Sequence, residues 1–153
     1  MAGLAVGPRS YRGVDFRAAN IKKGVWRSYT TYDGLPQQQI TCIERRSNGL
    51  LLFGSRGGRL CEFDGVDFKR VELSRGLEGD TVLSLQRGAE DSIWTGTGLD
   101  GVTWSDGKHS QTYSEANGLA HRHINSILLD RQGSVWFGSE FGISLLGDRE
   151  FSN

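Results

Sequence analysis

One apolar run recurs along this chain at a fixed spacing. Ser134-Val135-Trp136-Phe137-Gly138 follows the turn Asp130-Arg131-Gln132-Gly133. Ser92-Ile93-Trp94-Thr95-Gly96 lies 42 residues earlier (136 − 94), and Leu50-Leu51-Leu52-Phe53-Gly54 another 42 before that (94 − 52). Each copy is too short for a helix, is rich in β-branched and large apolar side chains, and ends in glycine, which marks a buried strand. A strand repeated at this period implies a repeat architecture, whose units must bury their apolar faces against one another.

The spacing holds over most of the unit. Asp33-Gly34-Leu35 aligns with Arg75-Gly76-Leu77 and Asn117-Gly118-Leu119. Ile40 aligns with Val82 and Ile124, Ile43 with Leu85 and Ile127, and Cys42 with Ser84 and Ser126. Four extended segments fit each unit; in the first full one they are Gln39–Glu44, Leu50–Gly54, Arg59–Phe63 and Val66–Glu72. Asn48-Gly49, Gly57-Gly58 and Asp64-Gly65 separate them, and such pairs accept the positive φ that tight hairpins need. A four-stranded antiparallel meander of about 40–45 residues is the signature of a β-propeller blade, so the fold class is all-β, a propeller segment.

The pattern Tyr-x-x-x-Asp-Gly-Leu-Pro over residues 29–43, with Asp-x-x-Gly-x-x-Trp-Phe-Gly-Ser-x-x-Gly-Ile within 124–143, resembles the two-component regulator propeller repeats. That resemblance implies the sensor region of a hybrid histidine kinase or related bacterial regulator, often facing the periplasm. Leu52 stands where Trp is usual, Arg75 replaces Asp and Asp91 replaces Gly, departures that read as tolerated variation.

Blade boundaries follow from the spacing: a partial blade at 1–30, full blades at 39–72 and 80–114, and a partial blade at 122–153. In the first partial blade Val25–Thr30 reads as a fourth strand and the innermost strand is missing; Phe151-Ser152-Asn153 barely starts a fourth strand in the last. Two full and two partial blades are few for a closed ring, and closure is what removes exposed sheet edges. The expectation is therefore a piece of a larger propeller or a subunit that closes by self-association.

Bulk properties narrow the function. Lysine plus arginine (18) balance aspartate plus glutamate (18), which argues against nucleic acid or an anionic membrane as partner. Cys42 and Cys61 make no disulfide framework and read as free thiols. No run is long enough to span a membrane. Met1–Gly7 lacks the basic region of a secretory signal, leaving either an excised piece of a longer protein or a cytoplasmic one.

The repeated aromatics Phe53, Trp94, Trp136 and Phe137 read as filler between blades rather than a sugar-stacking platform. Candidate binding residues lie where the copies disagree, on two loops per blade sharing the face at the entrance to the inner strand. They are Gln38, Asp80 and Arg122, with His121 and His123 beside the last, and Arg56, Asp100, Glu140 and Phe141 on the loop joining second to third strands. His121 and His123, two apart in an extended segment, point the same way, but a third ligand such as Glu140 would be needed for a metal, so no metal or cofactor is assigned. No nucleophile elbow or phosphate-cradling loop is present.

The expected function is a non-enzymatic sensing or recognition module with a small molecule or an oligosaccharide as ligand; the resemblance implies a signalling receptor as its parent and favours the oligosaccharide. One alternative is a protein-interaction scaffold that self-associates to close a ring. A further one, less supported, is a propeller lyase or lactonase using a channel-bound cation.

Overall fold

The structure, a computed structural model, describes residues 26–73, 77, 80–147 and 151–152. The partial blade expected at 1–30 lies outside them except for residues 26–30, which form no strand, contrary to the fourth strand expected there. Among the described residues twelve strands form three four-stranded antiparallel sheets. The first holds β1 (Ile40–Arg45), β2 (Leu51–Ser55), β3 (Leu60–Phe63) and β4 (Phe68–Val71). The second holds β5 (Val82–Arg87), β6 (Ile93–Thr97), β7 (Val102–Ser105) and β8 (Ser110–Tyr113). The third holds β9 (Ile124–Leu129), β10 (Val135–Ser139), β11 (Gly142–Leu146) and the two-residue β12 (Phe151–Ser152). Each sheet is a simple meander, its strands side by side in chain order. Among the described residues no helix is long and apolar enough to cross a membrane.

Turn chemistry explains the hairpins. Gly65 and Gly107 take φ of 97° and 87°. The preceding aspartates fold back on the turn, Asp64 Oδ1 accepting the N–H groups of Val66 and Asp67, and Asp106 Oδ1 those of Lys108 and His109. These backbone donors hold both carboxyls below the usual carboxylate range, His109 adding to the effect at Asp106. The Asp-Gly-Leu motif is a capped 3-10 turn. Asp33 Oδ2 accepts the Thr30 N–H at 2.8 Å, and Asn117 Oδ1 accepts the Ser114 N–H at 3.0 Å. Gly34 and Gly118 then reverse the chain, and Leu35 and Leu119 are buried behind them.

Sheets pack face to face through their inner strands, β1 near β5 and β5 near β9. Two apolar clusters fill the junctions. Leu52 and Leu60 of the first sheet meet Val82, Leu85 and Ile93 of the second, with Leu77 between them. Trp94 and Val102 of the second meet Ile124, Val135 and Phe137 of the third, with Leu119 between them. The aromatic pair Trp94–Phe137 packs edge-on at 5.5 Å. Glycine is required where each inner strand arrives: a Cβ on Gly54 would stand 2.6 Å from Val82 Cγ1, and one on Gly96 2.7 Å from Ile124 Cγ2. Hydroxyls tie the same strands together, Thr41 Oγ1 donating to the Val82 carbonyl and Ser84 Oγ to that of Ile124.

At the rim opposite the candidate loops the two junctions differ. Arg46, at the end of β1, reaches across the first junction and donates from Nε and Nη2 to Asp91 Oδ2 at 2.9 and 2.7 Å. Its Nη1 pairs with Glu62, and Asp91 Oδ1 accepts both the N–H and the hydroxyl of Ser47, each at 2.9 Å. Asp91 keeps a left-handed φ of 63° where the aligned Gly49 and Gly133 take 87° and 89°. The Gly-to-Asp departure thus supplies the anchor of an inter-sheet clamp, a role that tolerated variation does not describe. Burial acts to raise the Asp91 carboxyl, but Ser47 and Arg46 outweigh it and hold the group below the usual range. Both cysteines are free; burial pushes the Cys61 thiol up to about 11 and raises that of Cys42.

Candidate functional site

The two loops expected to share a face are joined by one hydrogen bond repeated in every sheet. The Arg56 N–H donates to the Gln39 carbonyl at 3.0 Å, the Gly98 N–H to the Thr81 carbonyl at 3.0 Å, and the Glu140 N–H to the His123 carbonyl at 3.3 Å. Each bond pins the loop after the second strand to the residue that enters the inner strand. The inner strands share an irregular register at that same end, between Ile40 and Cys42, between Val82 and Ser84, and opposite Gly138 and Ser139. A bulge there re-aims the entering residues, as bulges near functional rims do.

In the second sheet Asp80 organises the face from below. It is 5% exposed, and its carboxylate is filled by backbone donors: Oδ1 by the Thr81 N–H at 2.5 Å, Oδ2 by the Leu99 and Asp100 N–H groups at 2.8 and 3.1 Å. A buried carboxylate satisfied by three amides holds a loop in shape. Asp100 itself is exposed, its N–H also reaching Thr97 Oγ1 at 3.0 Å.

In the third sheet the connection between β10 and β11 shortens to Glu140-Phe141, which swings Phe141 into solvent at 74% exposure. The His121 ring meets it edge-on at 4.8 Å. His121 Nδ1 accepts the His123 N–H at 3.2 Å, and His123 Nδ1 donates to the Gly98 carbonyl at 3.0 Å, linking the third sheet to the second. Those bonds assign Nδ1 as the acceptor in His121 and as a donor in His123. The two imidazoles therefore have different partners instead of converging on one point, and no three metal-ligating side chains gather among the described residues. Arg122 is exposed, its N–H held by Glu115 Oε1 at 2.8 Å; the backbone donors of Glu115 and Arg122 lower the Glu115 carboxyl.

Asp80, Asp100 and His123 are thus gathered around Gly98, and His121 around Phe141, while exposed Gln38 and Arg56 stand on the first sheet. Glu115 is not legible as a site residue in the sequence, because it sits in the capped turn at the start of the connection that ends at residues 121–123, seven residues before its partner.

Residues 118–141 match the family model described as Two component regulator propeller. None of the curated proteins matches the chain. Among solved structures it is similar to the extracellular domain of BT3049 from B. thetaiotaomicron, assigned as a hybrid two component system, with TM-score 0.68 and 21% identity over 83% of this chain and 18% of that one. It is also similar to catalytically inactive virginiamycin B lyase from Staphylococcus aureus with Quinupristin, with TM-score 0.59 and 18% identity over 86% of this chain and 45% of that one. The chain therefore spans under half the length of either protein. At these identities the likeness speaks for the fold, while the matched motif speaks for the repeat. The chain has a β-propeller fold and carries a two component regulator propeller repeat at residues 118–141.

Proposed function

We propose that this chain is a non-enzymatic recognition module of the kind that forms the sensor part of a two-component signalling receptor, with an oligosaccharide as its ligand class. The observation that carries this reading is the repeated loop-to-strand hydrogen bond, which sets the most divergent residues of every sheet on one rim. On that rim His121, Arg122, Asp100, Glu140 and the protruding Phe141 offer donors, acceptors and an aromatic face, with Asp80 holding the backbone of Leu99 and Asp100. Mixed polar groups around an exposed ring suit a neutral polyhydroxylated ligand. A glycan-array screen followed by calorimetry tests it: hits should weaken at least tenfold in Phe141→Ala and Arg122→Ala. Binding that neither substitution touches, or no hit at all, removes the reading.

A second reading is favoured by the outer sheet faces. Ile43 on the first sheet and Leu128 and Ile143 on the third are each at least 60% exposed, whereas Leu85, the counterpart of Ile43 in the second, is 8% exposed. Apolar groups buried in the middle sheet and bare on the outer two call for further sheets against them, from a longer chain or a second copy. Light scattering after size exclusion separates the cases, since a discrete oligomer supports self-association and a monomer opposes it. A cation-dependent lyase or lactonase has less support, because His121 and His123 direct their δ nitrogens to separate backbone partners.

A further inference from the structure

The clamp at the first junction has no counterpart at the second. One repeat on, Arg46 and Asp91 become Gly88 and Gly133, while Leu52 and Glu62 become Trp94 and Trp104. A cleft of about 520 Å³ opens there, on the rim opposite the proposed recognition face, and all four of those residues line it. Leu129 and Val135 add apolar wall, and Glu90, Asp106 and Lys108 lie along the mouth.

What the cleft lacks is visible one repeat further. Trp136, the counterpart of Trp94, donates its indole N–H to Asp130 Oδ2 at 2.9 Å. Asp130 is the counterpart of Gly88 (130 − 88). The Trp94 indole N–H has no acceptor among the described residues, yet it is not sealed from solvent. It lies beside the vacant position, a Cβ on Gly88 standing 3.1 Å from Trp94 Nε1. Phe137 and Tyr113 pack against the Trp94 ring at 5.5 and 6.0 Å, so its N–H edge is what remains for the cleft.

We infer that this cleft binds a small monocarboxylate with an apolar body. The ligand carboxylate stands where Asp130 stands in the next repeat and accepts the Trp94 N–H, and its body lies against Trp104, Leu129 and Val135. Lys108 is exposed, makes no ion pair among the described residues, and supplies the opposite charge. Asp106 already has its oxygens on the Lys108 and His109 N–H groups and beside the His109 ring. With Glu90 it sets a negative edge that disfavours a second ligand charge.

Benzoate is a suitable probe, followed through the assigned indole N–H resonances of the full chain. The Trp94 signal should shift saturably while that of Trp136 stays in place. Benzyl alcohol, which keeps the ring and loses the charge, should bind at least tenfold more weakly. Gly88→Asp, which supplies the carboxylate internally, should reduce benzoate affinity at least tenfold and move the Trp94 signal toward that of Trp136. Its new Cβ meets Ser92 Oγ at 2.6 Å, so Lys108→Ala, at an exposed site, is the second variant and should weaken binding at least threefold. A Trp94 signal that ignores benzoate, equal affinity for the alcohol, or full affinity in Lys108→Ala or in folded Gly88→Asp overturns the inference.

Discussion

The two junctions between sheets are built on one plan and finished differently. Both bury a Leu from the turn motif, the end of an inner strand and the middle of a central strand. At the rim, the first junction closes with Arg46, Asp91 and Glu62 beside Leu52, whereas the second carries two glycines and two indoles in those four places and stays open. A shared core with a variable rim separates what must be kept for the sheets to pack from what can diverge for binding. Burial of large apolar groups dominates the first, at about 2 kcal/mol for each fully buried side chain.

The largest expected effect tests the shared core. Phe137→Ala should cost about 4 kcal/mol and Leu52→Ala about 3 kcal/mol in urea unfolding, as large-to-small changes at sealed sites do; both side chains are fully buried. A cost below about 1 kcal/mol at either site would mean that its junction is not packed in solution.

Next comes the clamp. Arg46→Met should lower stability by about 2 kcal/mol at neutral pH, because it strips a partly buried carboxylate of its charged partner. The pH dependence has a defined sign. Asp91 is held below its ordinary range when folded, so its contribution is present above the unfolded value, near ~4, and is lost as pH falls through the lower folded value. The gap in Tm between wild type and Arg46→Met should therefore narrow below about pH 4; a gap that is constant down to pH 2 would show that charge plays no part in the clamp.

Thiol chemistry gives a finer probe of the first sheet. With Cys61 pushed up to about 11, its alkylation at pH 8 should run roughly a hundredfold slower than in urea. Rates within a factor of about three of the unfolded chain would show the sheet opening readily. The smallest effect concerns Asp130, which is half-buried. Asp130→Asn, which keeps an oxygen acceptor and removes the charge, should leave Tm within error and move the Trp136 indole signal part of the way toward that of Trp94, while an unmoved signal would show that the carboxylate charge plays no part in the bond.

Much of the fold was legible because spacing and turn chemistry act locally. Ile40, Val82 and Ile124 begin the inner strands, and Asn-Gly and Asp-Gly mark the reversals. The candidate face was legible where loop residues differ between aligned positions, as at Arg56, Gly98 and Glu140. What stayed hidden was contact between residues that do not align. Arg46 meets Asp91 and His123 meets Gly98, pairs whose separations, 45 and 25 residues, differ from the period. The aligned Gly49 marks Asp91 as different, while the groups that the preceding sheet sets against it, Arg46 and Ser47, lie off the repeat register. For the same reason Asp80 reads in the sequence as a candidate binding residue, although three amides enclose its carboxylate.

The meander in which each strand pairs only with its chain neighbours has a consequence for synthesis. Every backbone ladder closes over a few residues, so a sheet is able to form as soon as it leaves the ribosome, before the following one has been translated. Its apolar flank then waits for the next sheet to arrive, and the interval between them is when a chaperone or a neighbouring nascent chain has access to Leu52 and Leu60.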